Sequence, residues 1–519
     1  MPREKAELIA AIDVGSNAIR MIVSQVAKNG KIMTVDDLNR PTHMGRDTFT
    51  YGRIQVDSIH DACEALKGFK RLLSDYRIKS YRAVCTSGIR EAQNREYVLE
   101  QIRISTGINV EVINNAQERF LMLKAVRDYM NGLPKSEKDT IIVHIGSGGV
   151  EISGYAEKSL KFTEYVKLGS LRLKEMLSEL EQKTLDFPSI MEEFIESRLD
   201  FLEPIVSGMH FNSFIGLGGE LKTIVRLCSG SYSETGYLDK KTFKNLYSKL
   251  RSLTSPQIVD EFGLSRSQAG ILLPSVLLLN SFLDMTDAKG IHAPMVSLRH
   301  GLIIDMADKF LESNGRKSDI NDIISSVWHF GNKYSIDKVH CEYVEEMSLA
   351  IFDHMEKVHR LSENERLYLR IAAIIHDAGK YVNQNTHDIH SYNIVRFLDI
   401  MGLSDSELNI VANIVRYHSY DIPDLSDENY YLLGPKEQII VSKLAVILRI
   451  AESLDITHKQ KIKKLEIHAS GKELHFDIWA QGDILLEEWS FLSHATFFEE
   501  VMGYKPVLRL KGGIKNVQI

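Results

Sequence analysis

An α/β fold of two similar lobes, followed by an all-helical part and a small second α/β part, is what this sequence predicts. Three observations carry that expectation. Residues 8 to 21, Leu8-Ile-Ala-Ala-Ile-Asp13-Val-Gly15-Ser16-Asn17-Ala-Ile-Arg20-Met21, run as an apolar strand, a polar turn and a second apolar strand. Residues 140 to 155, from Thr140 through His144, Gly146, Ser147, Gly148, Gly149 and Glu151 to Tyr155, repeat the plan, and such internal repetition marks duplicated halves. From about residue 309 to 457 the apolar residues keep helical spacing, after which short strands return. A chain of 519 residues exceeds one core and suits roughly three or four domains. The expected boundaries are 1–135, 136–308, 309–457 and 458–519.

Composition narrows the class. The chain is 44% hydrophobic and 26% charged, which describes an ordinary globular protein. Its net charge of −7 argues against sequence-independent binding to long DNA, although a locally basic groove can still hold a polyanion. The cysteines Cys63, Cys85, Cys228 and Cys341 are far apart, so neither a disulfide framework nor a zinc knuckle is suggested. No apolar leader and no apolar run near about 18 residues is present, so a cytoplasmic protein without a membrane segment is expected.

In the first lobe Asp13 closes a strand, Gly15 permits the reversal, and Ser16 and Asn17 add short donors. Several N–H groups can thus face one anion beside a carboxylate; the same residues also make a hairpin turn without a ligand. A third strand is expected over Lys31–Leu38, then a helix over Val56–Leu73 with Ile59, Cys63, Leu66 and Phe69 on one face. The strand Tyr81–Thr86 leads to Ser87 and Arg90, an arginine suited either to a phosphoryl oxygen or to a solvated cap turn. A strand over Asn109–Ile113 and a helix over Ala116–Tyr129 follow, with Glu118 in the first turn, where a carboxylate also suits the helix dipole.

The second lobe is expected to open at about Lys138. Phe214–Gly216 reads as a strand entering the turn Gly218-Gly219 and a helix bearing Lys222, and helices are expected from Lys240 to Phe310. In the third part, eight of the 18 histidines fall between His329 and His418, where an even spread would give about three. His340 begins an amphipathic helix, His376-Asp377 follows an apolar run, and Asp455 ends another. The final part is read as strands over Lys464–Ala469, Glu473–Trp479, Asp483–Glu487 and Lys505–Lys511, with a helix carrying Phe497 and Phe498.

The motifs at Asp13–Arg20, Thr86–Asn94, Gln117–Arg119, His144–Glu151, Leu168–Leu173 and Gly216–Gly219 fall in the order and spacing of a known family. The chain resembles the exopolyphosphatase/guanosine pentaphosphate phosphatase (Ppx/GppA) family. That resemblance implies duplicated actin-like (sugar-kinase/Hsp70 superfamily) ATPase-type lobes and hydrolysis of terminal phosphate from inorganic polyphosphate or guanosine pentaphosphate. It implies Glu118 as general base, and phosphate held by Gly15, Ser16, Asn17, Arg90, Gly146, Ser147, Gly148 and Gly149. Mg²⁺ or Mn²⁺ would sit by Asp13 and Glu151, and the protein would be a homodimer.

One departure stands out. Where the family has Asp-Ile-Gly-Gly-Gly-Ser-Thr-Glu, this chain has His144-Ile-Gly-Ser147-Gly-Gly149-Val150-Glu151, so an oxygen ligand suited to Mg²⁺ and two hydroxyls are absent. A low-activity polyphosphate- or alarmone-binding regulator is therefore the alternative expectation. The third part resembles the HD phosphohydrolase superfamily, which implies a divalent metal on His340, His376, Asp377 and Asp455, with His387, His390 and His418 nearby. A degenerate HD fold kept for packing is the other reading of those residues. If the metal is there, the helical part itself is a candidate hydrolase and the lobes regulate it.

Overall fold

The computed structural model describes residues 7–134, 137, 139–157, 159–184, 186–229, 236–311 and 315–514. It separates into two compact units, Met1–Asp322 and Ile323–Ile519. The expected opening of the second lobe at Lys138 lies outside the described residues.

Unit 1 contains two sheets of one design. In the first, β1 (Glu7–Val14) pairs antiparallel with β2 (Ala18–Val26), which pairs antiparallel with β3 (Ile32–Pro41). On its other edge β1 runs parallel to β4 (Ser80–Cys85), and β4 parallel to β5 (Glu111–Val112). The second sheet centres on β6 (Thr140–Ile145), antiparallel to β7 (Val150–Ala156), itself antiparallel to β8 (Ser159–Val166). Across β6 lies parallel β9 (Ser213–Gly218), followed by parallel β11 (Gly290–His292) and antiparallel β10 (Tyr237–Asp239). The order β3-β2-β1-β4-β5 is thus matched by β8-β7-β6-β9-β11.

The central strands are apolar because both their faces are covered. Ile9, Ala10, Ala11, Ile12 and Val14 are buried in β1, as are Ile141, Ile142, Val143 and Ile145 in β6. Helix Val56–Asp75 seals part of the first sheet through Ala62, Leu66, Phe69 and Leu73. Helix Arg266–Asp284, buried through Leu272, Val276, Leu279 and Leu283, belongs to the core of the second. Among the described residues no single helix is long and apolar enough to cross a membrane.

Several local expectations change. The strand read over Asn109–Ile113 shrinks to Glu111–Val112, an exposed edge. Between Lys240 and Phe310, β11 interrupts the helices, and β10 precedes them at Tyr237–Asp239. These three-residue pairings are set by neighbouring strands and leave too short a pattern to read.

Unit 2 begins with helices that include Lys338–His354, Glu363–Ile375, His387–Arg396, Asp405–Arg416 and Pro435–Ser453. A three-stranded sheet closes the chain: β12 (Ile462–Ser470) antiparallel to β13 (Glu473–Gln481), and β13 parallel to β14 (Lys505–Ile514). The strand expected at Asp483–Glu487 is instead the start of helix Leu485–Met502. Asp483 Oδ1 accepts the Leu485 N–H at 2.9 Å, and Glu487 and Glu488 occupy the first turn, where acidic side chains offset the exposed N–H dipoles. Phe491 and Phe498 of that helix pack edge-on against Phe476 of β13, at centroid distances of 5.2 and 5.9 Å.

One buried cation ties the ends of unit 1. Lys124, with a side chain 2% exposed, lies 3.1 Å from Asp305, 2.9 Å from Asp308 and 2.9 Å from Asp319. Lys124→Met would remove the buried cation that all three carboxylates share, leaving Asp305 with Arg82 and Lys309 and Asp319 with Arg127. Equilibrium urea unfolding should show a loss of about 3 to 5 kcal/mol; a loss below about 1 kcal/mol would mean the network does not hold the unit together.

Candidate active site

The two strand–turn–strand segments meet in a cavity of about 540 Å³ within unit 1. Each turn is closed in the same way: the Gly15 N–H donates to Ala18 O at 3.1 Å, and the Gly146 N–H to Gly149 O at 2.9 Å. Asp13 is the penultimate residue of β1 and pairs across the ladder with Arg20; His144 is the penultimate residue of β6 and pairs with Glu151. Duplication has thus delivered a titratable pair from each lobe to one cleft. Gly15, Ser16, Asn17, Arg90, Glu118, Gly146, Ser147, Gly148 and Gly149 also line it.

Close packing fixes the turns. Ser16 Oγ and Ser87 Oγ are 3.1 Å apart, and Gly45 and Gly88 must lack side chains because a Cβ on either would fall within 3.0 Å of Ser16. In the second turn the Arg172 Nε–H donates to Gly148 O at 2.6 Å, while its Nη2 donates to Glu91 at 2.7 Å. That arginine also stacks over Phe49, 4.2 Å from the ring centroid. Arg172 therefore ties the second turn to Glu91 and Phe49 of the first lobe.

Glu118 sits in the first turn of helix Asn115–Gly132, whose start is fixed by a reciprocal cap: Gln117 N–H to Asn114 Oδ1 at 2.8 Å, Asn114 N–H to Gln117 Oε1 at 3.2 Å. Burial, then the charge of Glu151, raises the Glu118 pKa to about 7 against the opposing pull of Arg90. Arg90 Nη1 donates to Ile113 O at 2.7 Å and lies 3.4 Å from Glu118 Oε2, while Nη2 donates to Asn115. Its guanidinium therefore orients Glu118 as well as lining the cavity.

Burial raises the Asp13 pKa, although Arg20 and Arg299 oppose it. Asp13 Oδ1 is buried with no hydrogen-bond partner among the described residues. His144 Nδ1 lies 3.0 Å from Glu151 Oε2. Burial pulls the His144 pKa down, but the Glu151 hydrogen bond and the charges of Glu151, Glu118 and Asp13 outweigh it and leave it raised. Sequence reasoning passed over Arg20, Arg299 and Tyr165, which also line the cavity; the Asp13–Arg20 pairing was available from strand register, whereas Arg299 arrives from a helix far along the chain.

Unit 2 has its own cluster. His340 Nε2 lies 4.0 Å from Asp377 Oδ2, His376 Nε2 3.7 Å from Asp377 Oδ1, and His387 Nε2 3.8 Å from that same oxygen. His387 and His418 approach at 3.1 Å through their Nε2 atoms. Asp455, expected as a ligand, is placed on the opposite side of His340: its Oδ2 lies 2.9 Å from Nδ1, and Gln460 donates to both its oxygens. Among the described residues the donors fall into two groups that share Asp377, one with His340 and His376 and the other with His387 and His418, and neither includes Asp455 or His390. Burial lowers the His376 pKa to about 4; the Asp377 carboxyl, despite burial, is held well below its usual range by His376, Lys380 and His418. Neutral imidazoles around an ionised carboxylate are the protonation states a metal requires.

Against this geometry, residues 21–310 match the Ppx/GppA phosphatase family and residues 324–493 match domain III of that family. The guanosine-5′-triphosphate,3′-diphosphate pyrophosphatase of Vibrio campbellii is 20% identical over 459 residues, covering 86% of this chain and 88% of that protein. Among solved structures, an exopolyphosphatase from Cytophaga hutchinsonii superposes with a TM-score of 0.52 at 20% identity, covering 58% of this chain and 98% of its own. The Aquifex aeolicus Ppx-GppA enzyme gives a TM-score of 0.50 at 22% identity, over 58% of this chain and 100% of its own. With a family model spanning more than half its length, and the paired turns in place, the chain belongs to the Ppx/GppA phosphatase family.

Proposed function

We propose that the cleft of unit 1 is a hydrolytic centre that releases terminal phosphate from an inorganic polyphosphate chain or from guanosine pentaphosphate. The observation that carries this reading is Glu118, a carboxyl with a pKa raised to about 7, in a cleft walled by two glycine turns. A base of that pKa accepts a proton from water near neutral pH while remaining largely ionised above it. Backbone N–H groups of the turns at Gly15–Asn17 and Gly146–Gly149, with the Ser16 and Ser147 hydroxyls, are suited to the oxygens of the transferred group. Arg90 holds Glu118 in line and adds positive charge. The donor set fits a divalent cation, since Asp13 Oδ1 is buried without a partner among the described residues and Glu151 lines the same cavity. Such an ion, when bound, neutralises charge on the phosphate.

Glu118→Gln should lower phosphate release by at least about a hundredfold and leave polyphosphate binding nearly unchanged, because the amide keeps shape but accepts no proton. Activity surviving within about tenfold would place the base elsewhere. Tight binding by a wild type that releases no phosphate would establish the regulatory alternative instead. Because only ionised Glu118 acts as base, kcat/KM should rise with pH through about 7. Arg90→Met removes the charge that lowers this pKa, so the midpoint should move to higher pH; a midpoint that stays in place would assign the titration to another group.

A second reading concerns unit 2. We infer that His340, His376, Asp377, His387 and His418 hold a divalent transition ion. The observation favouring it is that His340 Nε2, His376 Nε2 and Asp377 Oδ1 are buried without hydrogen-bond partners among the described residues and converge on one another. Asp455 then acts through His340, fixing its Nδ1 so that Nε2 is presented. Metal analysis of the purified full chain should show an ion that His376→Ala loses; equal metal content in both would end this reading.

A further inference from the structure

We propose that the unit 1 cleft takes a first-row transition cation such as Mn²⁺, Co²⁺ or Zn²⁺ in preference to Mg²⁺, with His144 and Glu151 as adjacent ligands. This deepens the hydrolytic reading of the same cleft, and binding is tested apart from turnover.

The strand register places His144 directly opposite Glu151, and Nδ1 lies 3.0 Å from Oε2. Two donors each about 2.1 Å from one ion and at right angles to one another are about 3.0 Å apart. A cation can therefore replace the proton now shared by this pair without moving either strand. The nearest carboxylate oxygen of Glu118 lies within 4.8 Å of both donors, which leaves it beside the ion to face water. Asp13 supplies the second observation: its Oδ1 is buried, lines the same cavity and has no partner among the described residues.

Donor chemistry decides which ion. Mg²⁺ favours oxygen ligands and retains its waters, so an imidazole nitrogen is a poor exchange for a carboxylate. Mn²⁺, Co²⁺ and Zn²⁺ accept mixed imidazole and carboxylate sets, with affinity rising along the first-row series. At the equivalent ladder position the first lobe presents Asp13 with the Arg20 guanidinium, 4.0 Å away, in place of an imidazole. The selectivity is therefore placed on His144, which faces Glu151, whereas His300, which also lines the cleft, is engaged by Ser297 at its Nδ1.

The test uses the full chain and Mn²⁺ as the probe, with His144→Asp and His144→Gln variants and a circular dichroism melt for each. Pulsed electron paramagnetic resonance of the wild type should show nitrogen coupled to bound Mn²⁺, with one such coupling missing in His144→Asp. Histidines of unit 2 contribute equally to both spectra, so the difference reports the cleft. Mg²⁺ should displace cleft Mn²⁺ from the wild type only at concentrations at least about tenfold higher, and this gap should narrow in His144→Asp. Should His144→Asp fail to fold, His144→Gln carries the comparison, with the same loss of nitrogen coupling. Identical nitrogen signals in wild type and variants, or Mg²⁺ displacing Mn²⁺ at parity from the wild type, would overturn the assignment. Phosphate release is measured separately: coupling without turnover retires the hydrolytic reading and keeps the metal assignment, and turnover with Mg²⁺ but no coupling does the reverse.

Discussion

Four ionisable side chains, Asp13, Glu118, His144 and Glu151, are each largely buried where they line one cleft, and the rest of unit 1 is arranged around what that burial costs. Charges brought together at low dielectric raise one another's pKa or must be offset. Both responses are visible. Burial and the Glu151 charge raise the Glu118 pKa to about 7, while Arg90 opposes them, and Arg20 and Arg299 act in the same sense on Asp13. His144 and Glu151 answer each other at 3.0 Å. A cleft with this charge pattern has its acid–base capacity near neutral pH as a consequence of its packing.

Duplication explains how the groups meet. A central strand flanked by an antiparallel neighbour on one edge and a parallel neighbour on the other brings its penultimate residue to the rim in both sheets. Each rim then turns through a glycine whose N–H closes the loop. The remaining backbone donors of both turns border one cavity. The two halves have since diverged in chemistry: a carboxylate with a guanidinium in one, an imidazole with a carboxylate in the other. That difference bears on charge and metal preference more than on shape, because the two ladders keep the same register logic.

Unit 2 follows another principle. Its histidines come from separate helices, and the helix Glu363–Ile375, buried through Ile371, Ala372, Ile374 and Ile375, delivers His376 and Asp377 to positions where both are buried. Burial there keeps His376 neutral, and Lys380, at 2.5 Å, helps keep Asp377 ionised. A neutral His376 beside an ionised Asp377 has no proton to lose to an incoming cation.

Much of this was legible in the chain itself. Central strands covered on both faces must be apolar throughout, so β1 and β6 announced themselves, and the glycine turns after them could be placed to the residue. Glu118 could be set in a first helical turn, and His376-Asp377 after an apolar helix, because helical period and caps are local properties. Short segments were not legible: Asp483–Glu487 has no period that separates strand from helix, and β10 and β11 exist through pairing with distant strands. Nor could the sequence show that Asp455 meets His340 through Nδ1, or that His387 and His418 rather than His390 group with Asp377, since only the packing of helices decides which side chain faces inward. The amino acids determined which groups were available; the tertiary structure decided their distances and burial, and with them which groups keep a proton and which stand ready for a ligand.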